Sequence, residues 1–435
     1  MAYRCPYNKD VAKISSLIIP GIILFLSCAV TALASDDITF RRSDRVLVLA
    51  PHPDDEAIAA FGVMKKALGA GAKVKVVCLT NGDNNEIAFL IYKKHPVLSA
   101  KGLIAMGETR MKETLAAMSG MGLGAQDVSF LGYPDFGTLA IFTGYWGDGK
   151  PYEAMLTKQT KVPYAGAVSC GAPYTGESIL KDLEDILTQF RPTDIFVSHP
   201  SDSNPDHKAL YLFLRVALWD TEGSIEPPSV YPYIVHVQGW PAPKGYHPEM
   251  DLKPPVPFKR VSWGTFDLPQ EDVKAKHDAI RAYKSQLAYD PSYLFSFARR
   301  NELFGDYAPL KMKDGGRSGI YGIEDGSVIV HLATAGRADV DRDFTAYLIG
   351  YKKGRGFSGM PKLHIRMDAD GLHCRDRHIR LSSKEVSADH GPRMITLRVP
   401  LSLLEYPDRI FACVEGRTEE MQDDDTHWRI LELKP

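Results

Sequence analysis

Two short clusters in this chain hold the residue types that bind divalent cations and move protons. One is Pro51-His52-Pro53-Asp54-Asp55-Glu56; the other is His199-Pro200-Ser201-Asp202-Ser203-Asn204-Pro205-Asp206-His207. Imidazole together with carboxylate is a suitable donor set for a hard or borderline metal ion. Acids alone could decorate a helix N-terminus, where negative charge is favourable, and that accounts for Asp55 and Glu56. It leaves His52, wedged between two prolines, without a reason. Each cluster directly follows an apolar run, so the two can meet at one ion only if both runs end at the same edge of one sheet.

The elements that would place them there can be read from spacing. Val46 to Ala50, Lys73 to Thr80, Asp127 to Leu131 and Asp194 to Ser198 read as short buried strands. Ala57 to Leu68, Thr109 to Met118, Ile179 to Phe190 and Lys208 to Trp219 read as helices between and after them. Alternating strands and helices predict an α/β, Rossmann-like, mainly parallel sheet with helices on both faces. Sites on such sheets lie beyond the carboxyl ends of the strands, where both clusters fall. From about Ser318 the texture changes to short alternating runs (SVIVHLA, TAYLIGY, KLHIRM, MITLRV, RIFACV, WRILEL) between Gly, Asp and Pro turns. That predicts a C-terminal all-β sandwich over 316–435, with a boundary near Lys313-Asp314-Gly315-Gly316.

The totals exclude some partners. Lys plus Arg number 52 against 54 Asp plus Glu, so no strong field draws in nucleic acid or an anionic membrane. At the N-terminus, Arg4, Lys9 and Lys13 precede an uncharged run from Ile14 to Ala34 that ends Ala-Leu-Ala. This is the pattern of an export signal over 1–34, the alternative being a retained membrane anchor, and it predicts a periplasmic or extracellular protein. Cys374 and Cys413 could pair in an oxidising compartment, although spacing does not establish connectivity. Cys78 sits in an apolar run and reads as buried.

The paired clusters resemble the PIG-L/LmbE family of zinc-dependent N-acetylglucosaminyl deacetylases. His-Pro-Asp-Asp-Glu at 52–56 is similar to its first signature, and Asn-Pro-Asp-His at 204–207 is a variant of its second. The likeness continues through Arg110-Met111-Lys112-Glu113, Phe130 to Asp135, Trp240 to Pro243 and Lys276 to Gln286, within a domain of 40–312. It implies that His52, Asp55 and His207 hold Zn2+ (or another divalent ion), that Asp54 is the general base, and that Arg110 and Asp135 face an N-acetylated amino-sugar substrate. Many relatives have a histidine where this chain has Asn204. An amide donates a hydrogen bond but delivers no proton. Either Asp54 performs both proton transfers, or His199 supplies the second group. Asp206 is placed to orient an imidazole from outside the metal's own ligands.

Other features stay open between two readings. Asp83 is a turn residue or a pocket residue. The segment from Gly137 to Gly176 carries Phe142, Tyr145, Trp146, Tyr152, Tyr164 and Tyr174 with little periodicity, and is expected to form a substrate lid. Trp240 and Tyr246 share that ambiguity. The expected function is an exported deacetylase acting on a glycan or glycoconjugate. The rivals are an amidase for a non-sugar conjugate and a glycan-binding protein with a decayed site.

Overall fold

The computed structural model describes residues 38–84, 90–92, 99–147, 149–256, 258, 261–333, 343–382, 385–391, 393–416 and 427–433. The expected export signal at 1–34 lies outside them. Strands β1 (Arg45–Ala50), β2 (Lys73–Thr80), β3 (Val128–Tyr133), β4 (Asp194–Ser198) and β5 (Ser229–Tyr233) form one sheet in the order β3-β2-β1-β4-β5. All four pairings are parallel. The chain leaves β1 towards β2 and β3, then crosses back to β4 and β5. The strand order therefore reverses between β1 and β4, which is where an open α/β sheet leaves a crevice.

The sheet is buried on both faces, which is why its strands read as continuous apolar runs. Val46, Val48, Val76 and Phe130 turn to one side, against α1 (Asp55–Gly69) and α2 (Ala100–Met121). Leu47, Leu49, Val77, Leu131 and Val197 turn to the other. There they meet α3 (Thr138–Gly144), α4 (Gly176–Phe190) and α5 (Pro205–Asp220). Sequence reading missed β5 because Ser-Val-Tyr-Pro-Tyr contains Pro232. Proline cannot donate to a ladder but is tolerated on an edge strand, and β5 is an edge. Helix α2 begins nine residues before the expected Thr109. Its early turns hold glycines that blur the pattern, among them Gly107, where a Cβ would stand 2.4 Å from the Tyr164 hydroxyl.

Beyond β5, α6 (Gln270–Ile280), α7 (Lys284–Leu287) and α8 (Pro291–Phe295) are bracketed by the antiparallel pair β6 (Trp263–Asp267) and β7 (Asn301–Gly305). Helix α1 is interrupted at Ala60 (φ −134°, ψ 16°). The Glu302 carboxylate on β7 accepts the backbone N–H groups of Gly62 at 2.8 Å and Val63 at 3.1 Å beyond that break. Lys276 Nζ on α6 donates to the same carboxylate at 2.7 Å, with both side chains almost fully buried.

The C-terminal residues form two sheets. One is antiparallel and runs β16 (Ser387–His390), β17, β11, β10 (Tyr321–Glu324), β9 (Gly316–Ser318); the other runs β15 (Ile379–Arg380), β14, β13, β12, β18, β19 (Arg429–Glu432), β8 (Leu310–Lys311). Their central strands are β11 (Ser327–Ala333), β12 (Phe344–Tyr351), β13 (Lys362–Asp368), β14 (Gly371–Asp376), β17 (Met394–Pro400) and β18 (Arg409–Gly416). Val328, Val330, Leu397 and Val399 from the first sheet share a core with Leu348, Ile365, Ile410 and Ala412 from the second. The far face of the second sheet is buried too, because Phe411, Cys413 and Ile430 join the core of α3, α4 and α5.

One question left open by the sequence is answered here, and one expectation is corrected. Cys374 and Cys413 are not bonded to each other. Strands β13 and β12 lie between them, and they face different cores. The aromatic segment is also not a lid, since Phe142, Trp146, Tyr164 and Tyr174 are each no more than 1% exposed. Phe142 packs edge-on against Phe213 at 5.0 Å, Phe411 at 5.4 Å and Trp428 at 6.1 Å. The second sheet covers this surface, so these rings are core. Tyr145 and Tyr152 stay half-buried beside them.

Truncating Lys276 to Ala would leave the Glu302 carboxylate buried without its ammonium partner, which costs about 3–5 kcal/mol. Urea unfolding of Lys276→Ala is expected to show a loss of that size, and a loss below about 1 kcal/mol would refute the bracing role given to this pair.

Candidate metal centre

His52 follows β1 directly, and His207 lies on the first turn of α5, just after β4. The topology therefore brings 155 residues of sequence separation together at the β1/β4 switch point. His52 Nδ1 stands 3.2 Å from Asp55 Oδ2, which stands 3.1 Å from His207 Nε2. The third side, His207 Nε2 to His52 Nδ1, is 3.3 Å. Donors at ~2.0–2.1 Å from a tetrahedral ion stand about 3.3 Å apart, so this triangle has the dimensions of three ligands around one cation with a fourth position open. The donor chemistry fits as well. His207 Nδ1 is 3.2 Å from Asp202 Oδ2, and His52 Nε2 is 3.1 Å from Asp135 Oδ1 and 3.3 Å from Asp206 Oδ2. A proton shared with those outer carboxylates leaves both inner nitrogens as lone pairs.

The electrostatics agree. Burial works against charge at every one of these groups. At His207 the nearby charges of Asp202 and Asp55 outweigh it and raise the pKa to about 9. His52 is likewise raised well above its ordinary value, burial being outweighed by Asp135, Asp206 and Asp55 together. The imidazoles pull in return, so that Asp55 falls well below the usual carboxylate range and Asp202 falls to about 2. Four buried carboxylates thus surround two imidazoles, an excess of negative charge that a cation offsets.

Asp54 sits beside the triangle without belonging to it. Its backbone is held at φ 124°, ψ −30°, where a non-glycine residue costs roughly 1–3 kcal/mol. Its own N–H donates to Glu56 Oε2 at 3.1 Å, and the Tyr283 hydroxyl donates to the other oxygen of Glu56. Arg110 braces the same turn, donating from Nη2 to the Pro53 carbonyl at 2.7 Å and from Nη1 to the Gly82 carbonyl at 3.0 Å. Arg110 Nη2 lies 3.5 Å from Asp54 Oδ2. Gly82 must be glycine here, because it has φ +64° and a Cβ would overlap the guanidinium. Burial pushes the Asp54 carboxyl up to about 8, against the pull of Arg110 and with the push of Asp55 and Glu56.

These groups open onto a pocket of about 400 Å3, lined by His52, Asp54, Arg110, Asp135, Asn204 and His236 among others. The residues implied by the resemblance are therefore mostly gathered here. Arg110 and Asp135 line the pocket, though Arg110 spends most of its donors on the backbone. Glu113, one turn along α2 from Arg110, is buried. It accepts from Ser285 N at 2.9 Å and Oγ at 2.6 Å, anchoring the helix that carries Gln286 into the pocket. Asn204 caps α5 with its side-chain oxygen on the Asp206 N–H at 2.8 Å. Asp206 reaches the ring of His52 rather than that of its neighbour His207, and also binds the Phe136 N–H at 2.5 Å and the Thr138 N–H at 3.1 Å. Asp83 is buried, accepts from the Tyr164 hydroxyl at 2.6 Å, and is pushed up to about 7 by that burial.

His199 is the exception. It is fully buried among Trp263, Tyr307 and Phe258, its Nδ1 accepts from the Ser201 N–H at 3.1 Å, and burial drags it down to about 3. It does not line the pocket, because the chain turns away from the crevice immediately after β4. Sequence reading missed two residues that are there. Asp202, inside the second cluster, carries the outer bond to His207. His236, three residues past β5, has a ring nitrogen within 4.8 Å of the three candidate ligand atoms. Overlooking β5 hid it.

Residues 47–218 match a family model described as PIG-L, GlcNAc-PI de-N-acetylase. This part of the chain is similar to the PIG-L family. Two related proteins are both described as 1D-myo-inositol 2-acetamido-2-deoxy-alpha-D-glucopyranoside deacetylase. The one from Mycobacterium sp. (strain JLS) is 22% identical over 57% of this chain and 76% of its own length. The one from Mycobacterium sp. (strain KMS) is 27% identical over 38% of this chain and 46% of its own. Among solved structures, N,N'-diacetylchitobiose deacetylase from Pyrococcus horikoshii aligns with a TM-score of 0.37 at 19% identity, over 60% of this chain and 83% of that one. The PIG-L match ends before β5, so it includes the three triangle residues but not His236.

Replacing Asp202 by Asn removes the charge behind His207 while keeping the side chain's size. Metal affinity, measured by competition with a chromogenic chelator, is expected to fall about 10–100-fold. Unchanged affinity would show that Asp202 does not tune the ligand.

Proposed function

We propose that this chain is an exported, zinc-dependent deacetylase that hydrolyses the N-acetyl group of an amino sugar in a glycan or glycoconjugate. The observation that carries the reading is the triangle of His52 Nδ1, Asp55 Oδ2 and His207 Nε2 with Asp54 beside it in an open pocket. The PIG-L match and the amino-sugar deacetylases among its relatives support the substrate class. The uncharged run at 14–34 supports export.

The ion held by His52, Asp55 and His207 would supply Lewis acidity, polarising the acetyl carbonyl and acidifying water. The rest of the work falls to the chain itself. Asp54 accepts the proton of the attacking water and returns it to the amine nitrogen as the C–N bond breaks. The strained turn, the Glu56 bond and Arg110 hold that carboxylate in one orientation, so no reorganisation is needed during reaction. Asp135 stands at the pocket wall with Oδ1 3.1 Å from His52 Nε2 and Oδ2 accepting the Asn84 N–H at 2.9 Å, which holds its carboxylate where a sugar hydroxyl can reach it. Asn204 donates through its side-chain NH2, since its oxygen is committed to the helix cap. With His199 outside the pocket, Asp54 performs both proton transfers.

The test is metal analysis with acetate release by wild type and Asp54→Ala, using chitooligosaccharides and simple N-acyl amino acids. Asp54→Ala is expected to keep its metal and lose turnover by at least ~10²-fold. An unchanged rate would remove Asp54 as the base. Activity on N-acyl amino acids alone would indicate an amidase for non-sugar conjugates, and sugar binding without stoichiometric metal would indicate a glycan-binding protein.

A further inference from the structure

Nothing in the chemistry above uses His236, although it lines the pocket beside the triangle. Its ring meets that of His207 edge to face, with centroids 4.7 Å apart and planes at 72°. One of its nitrogens lies within 4.8 Å of each of the three triangle atoms. Donors bonded to one ion at ~2.0–2.1 Å stand at most about 4.2 Å apart, so a small swing of the ring brings that nitrogen to the same ion. The PIG-L match ends at residue 218, so the likeness assigns no role to this histidine.

The bonds that hold the ring decide which nitrogen is free. The His236 and Val235 backbone N–H groups both donate to Asp202 Oδ2 at 2.9 Å, and the same oxygen stands 3.2 Å from His207 Nδ1. One buried carboxylate thus fixes the ring of His207 and the backbone that carries His236. At the ring itself, Nδ1 lies 3.2 Å from the hydroxyl of Tyr293 on α8, and the two rings are nearly parallel at 16°. Tyr293 gives its single hydrogen to the Val235 carbonyl at 2.9 Å. Its oxygen therefore accepts from His236 Nδ1, which must carry the imidazole proton. In the neutral ring that leaves Nε2 with its lone pair, and among the described residues no group donates to it.

An idle imidazole nitrogen alone says little. His199 Nε2 also has no partner, but it lies among aromatic rings outside the pocket. His236 differs in its surroundings. The carboxylates of Asp202 and Asp55 lie close enough to act on its ring. Their negative charge repels an electron pair as it attracts a cation. A divalent ion in the triangle relieves both, since it offsets the carboxylates and accepts the lone pair.

We infer that His236 is a fourth protein ligand, through Nε2, for the ion held by His52, Asp55 and His207. This rests on the metal-site reading above and narrows the ion. Three imidazole nitrogens and one carboxylate oxygen favour zinc or a neighbouring late first-row ion over Mg2+ and Ca2+, which take oxygen donors. Zinc takes five neighbours as well as four, so room for a water remains.

The test uses the full chain, stripped of metal and reloaded with one equivalent of zinc. X-ray absorption at the zinc edge counts the imidazoles on the ion: three are expected in wild type and two in His236→Ala. Competition with a chromogenic chelator should show zinc held at least ~100-fold less tightly by His236→Ala, beyond the range for losing a group that only orients a ligand. Tyr293→Phe keeps His236 but loses the bond to Nδ1, so it should retain three imidazoles and lose about 10-fold in affinity. Thermal melting of the metal-free proteins tells loss of fold from loss of a ligand, and should His236→Ala not fold, the wild-type count decides alone. Two imidazoles on the zinc of wild type, or an affinity in His236→Ala within ~3-fold of wild type, would overturn the fourth ligand and leave the triangle and the deacetylase reading in place. Wild type that binds no stoichiometric zinc would remove both.

Discussion

Four carboxylates buried around two imidazoles are the constraint from which the rest of this structure follows. Asp55, Asp135, Asp202 and Asp206 are all less than a tenth exposed, as are His52 and His207. Burying that much charge without compensation costs several kcal/mol per ion. Hydrogen bonds from Phe136, Thr138, Asn204, Val235 and His236 backbone N–H groups meet part of the cost. The inner edges of Asp55, His52 and His207 point their electron pairs at a common point, and there a cation compensates better than any side chain present.

That arrangement needs several loops held still at once, and the bonds that hold them cross long stretches of sequence. Glu56 on the first turn of α1 is fixed by Tyr283, and Glu113 on α2 is fixed by Ser285. The short segment 283–286 thus clamps two helices. Lys276 and Glu302 fasten the broken middle of α1 to the same side. None of these carboxylates touches the pocket's contents. Each limits how far the turn bearing Asp54 can relax from its strained conformation, and strain persists only where surroundings over-determine it.

How much of this was legible in the sequence varies with the range of the interaction. The four strands expected from apolar runs are present within one or two residues at most ends, because buried parallel strands write their burial into consecutive residues. The triangle was legible because its ligands lie in two compact motifs, each at a strand end. The fifth strand was not, since Pro232 breaks the pattern, and with it went His236. His199 was misread for the opposite reason. It lies in the right motif, but a loop's direction is set by what packs behind it, here Trp263 and Tyr307, which are distant in sequence. The aromatic segment after Gly137 was misread in the same way. Its rings look available in sequence and are consumed by a sheet that begins almost two hundred residues later.

The C-terminal sheets follow from the same accounting. Helix α3 has seven residues, too few to be stable on its own in water. Its first residue, Thr138, and the nearby Phe136 are what Asp206 grips while it touches His52. The helix is kept by packing: Phe142 lies against Phe213 of α5 on one side and against Phe357, Phe411 and Trp428 on the other. Lys362 seals this contact, its ammonium 4.5 Å from the rings of both Trp146 and Phe357 and hydrogen-bonded to the Phe357 and Met360 carbonyls. Strand β18 is apolar on both faces for this reason, giving alternate residues to the sandwich core and to α3. A sheet that served only to hold a distant ligand would need one buried face. Burial of the second face ties it mechanically to the helix whose first turn helps set the orientation of His52, a candidate metal ligand, and so makes it part of the frame of the site.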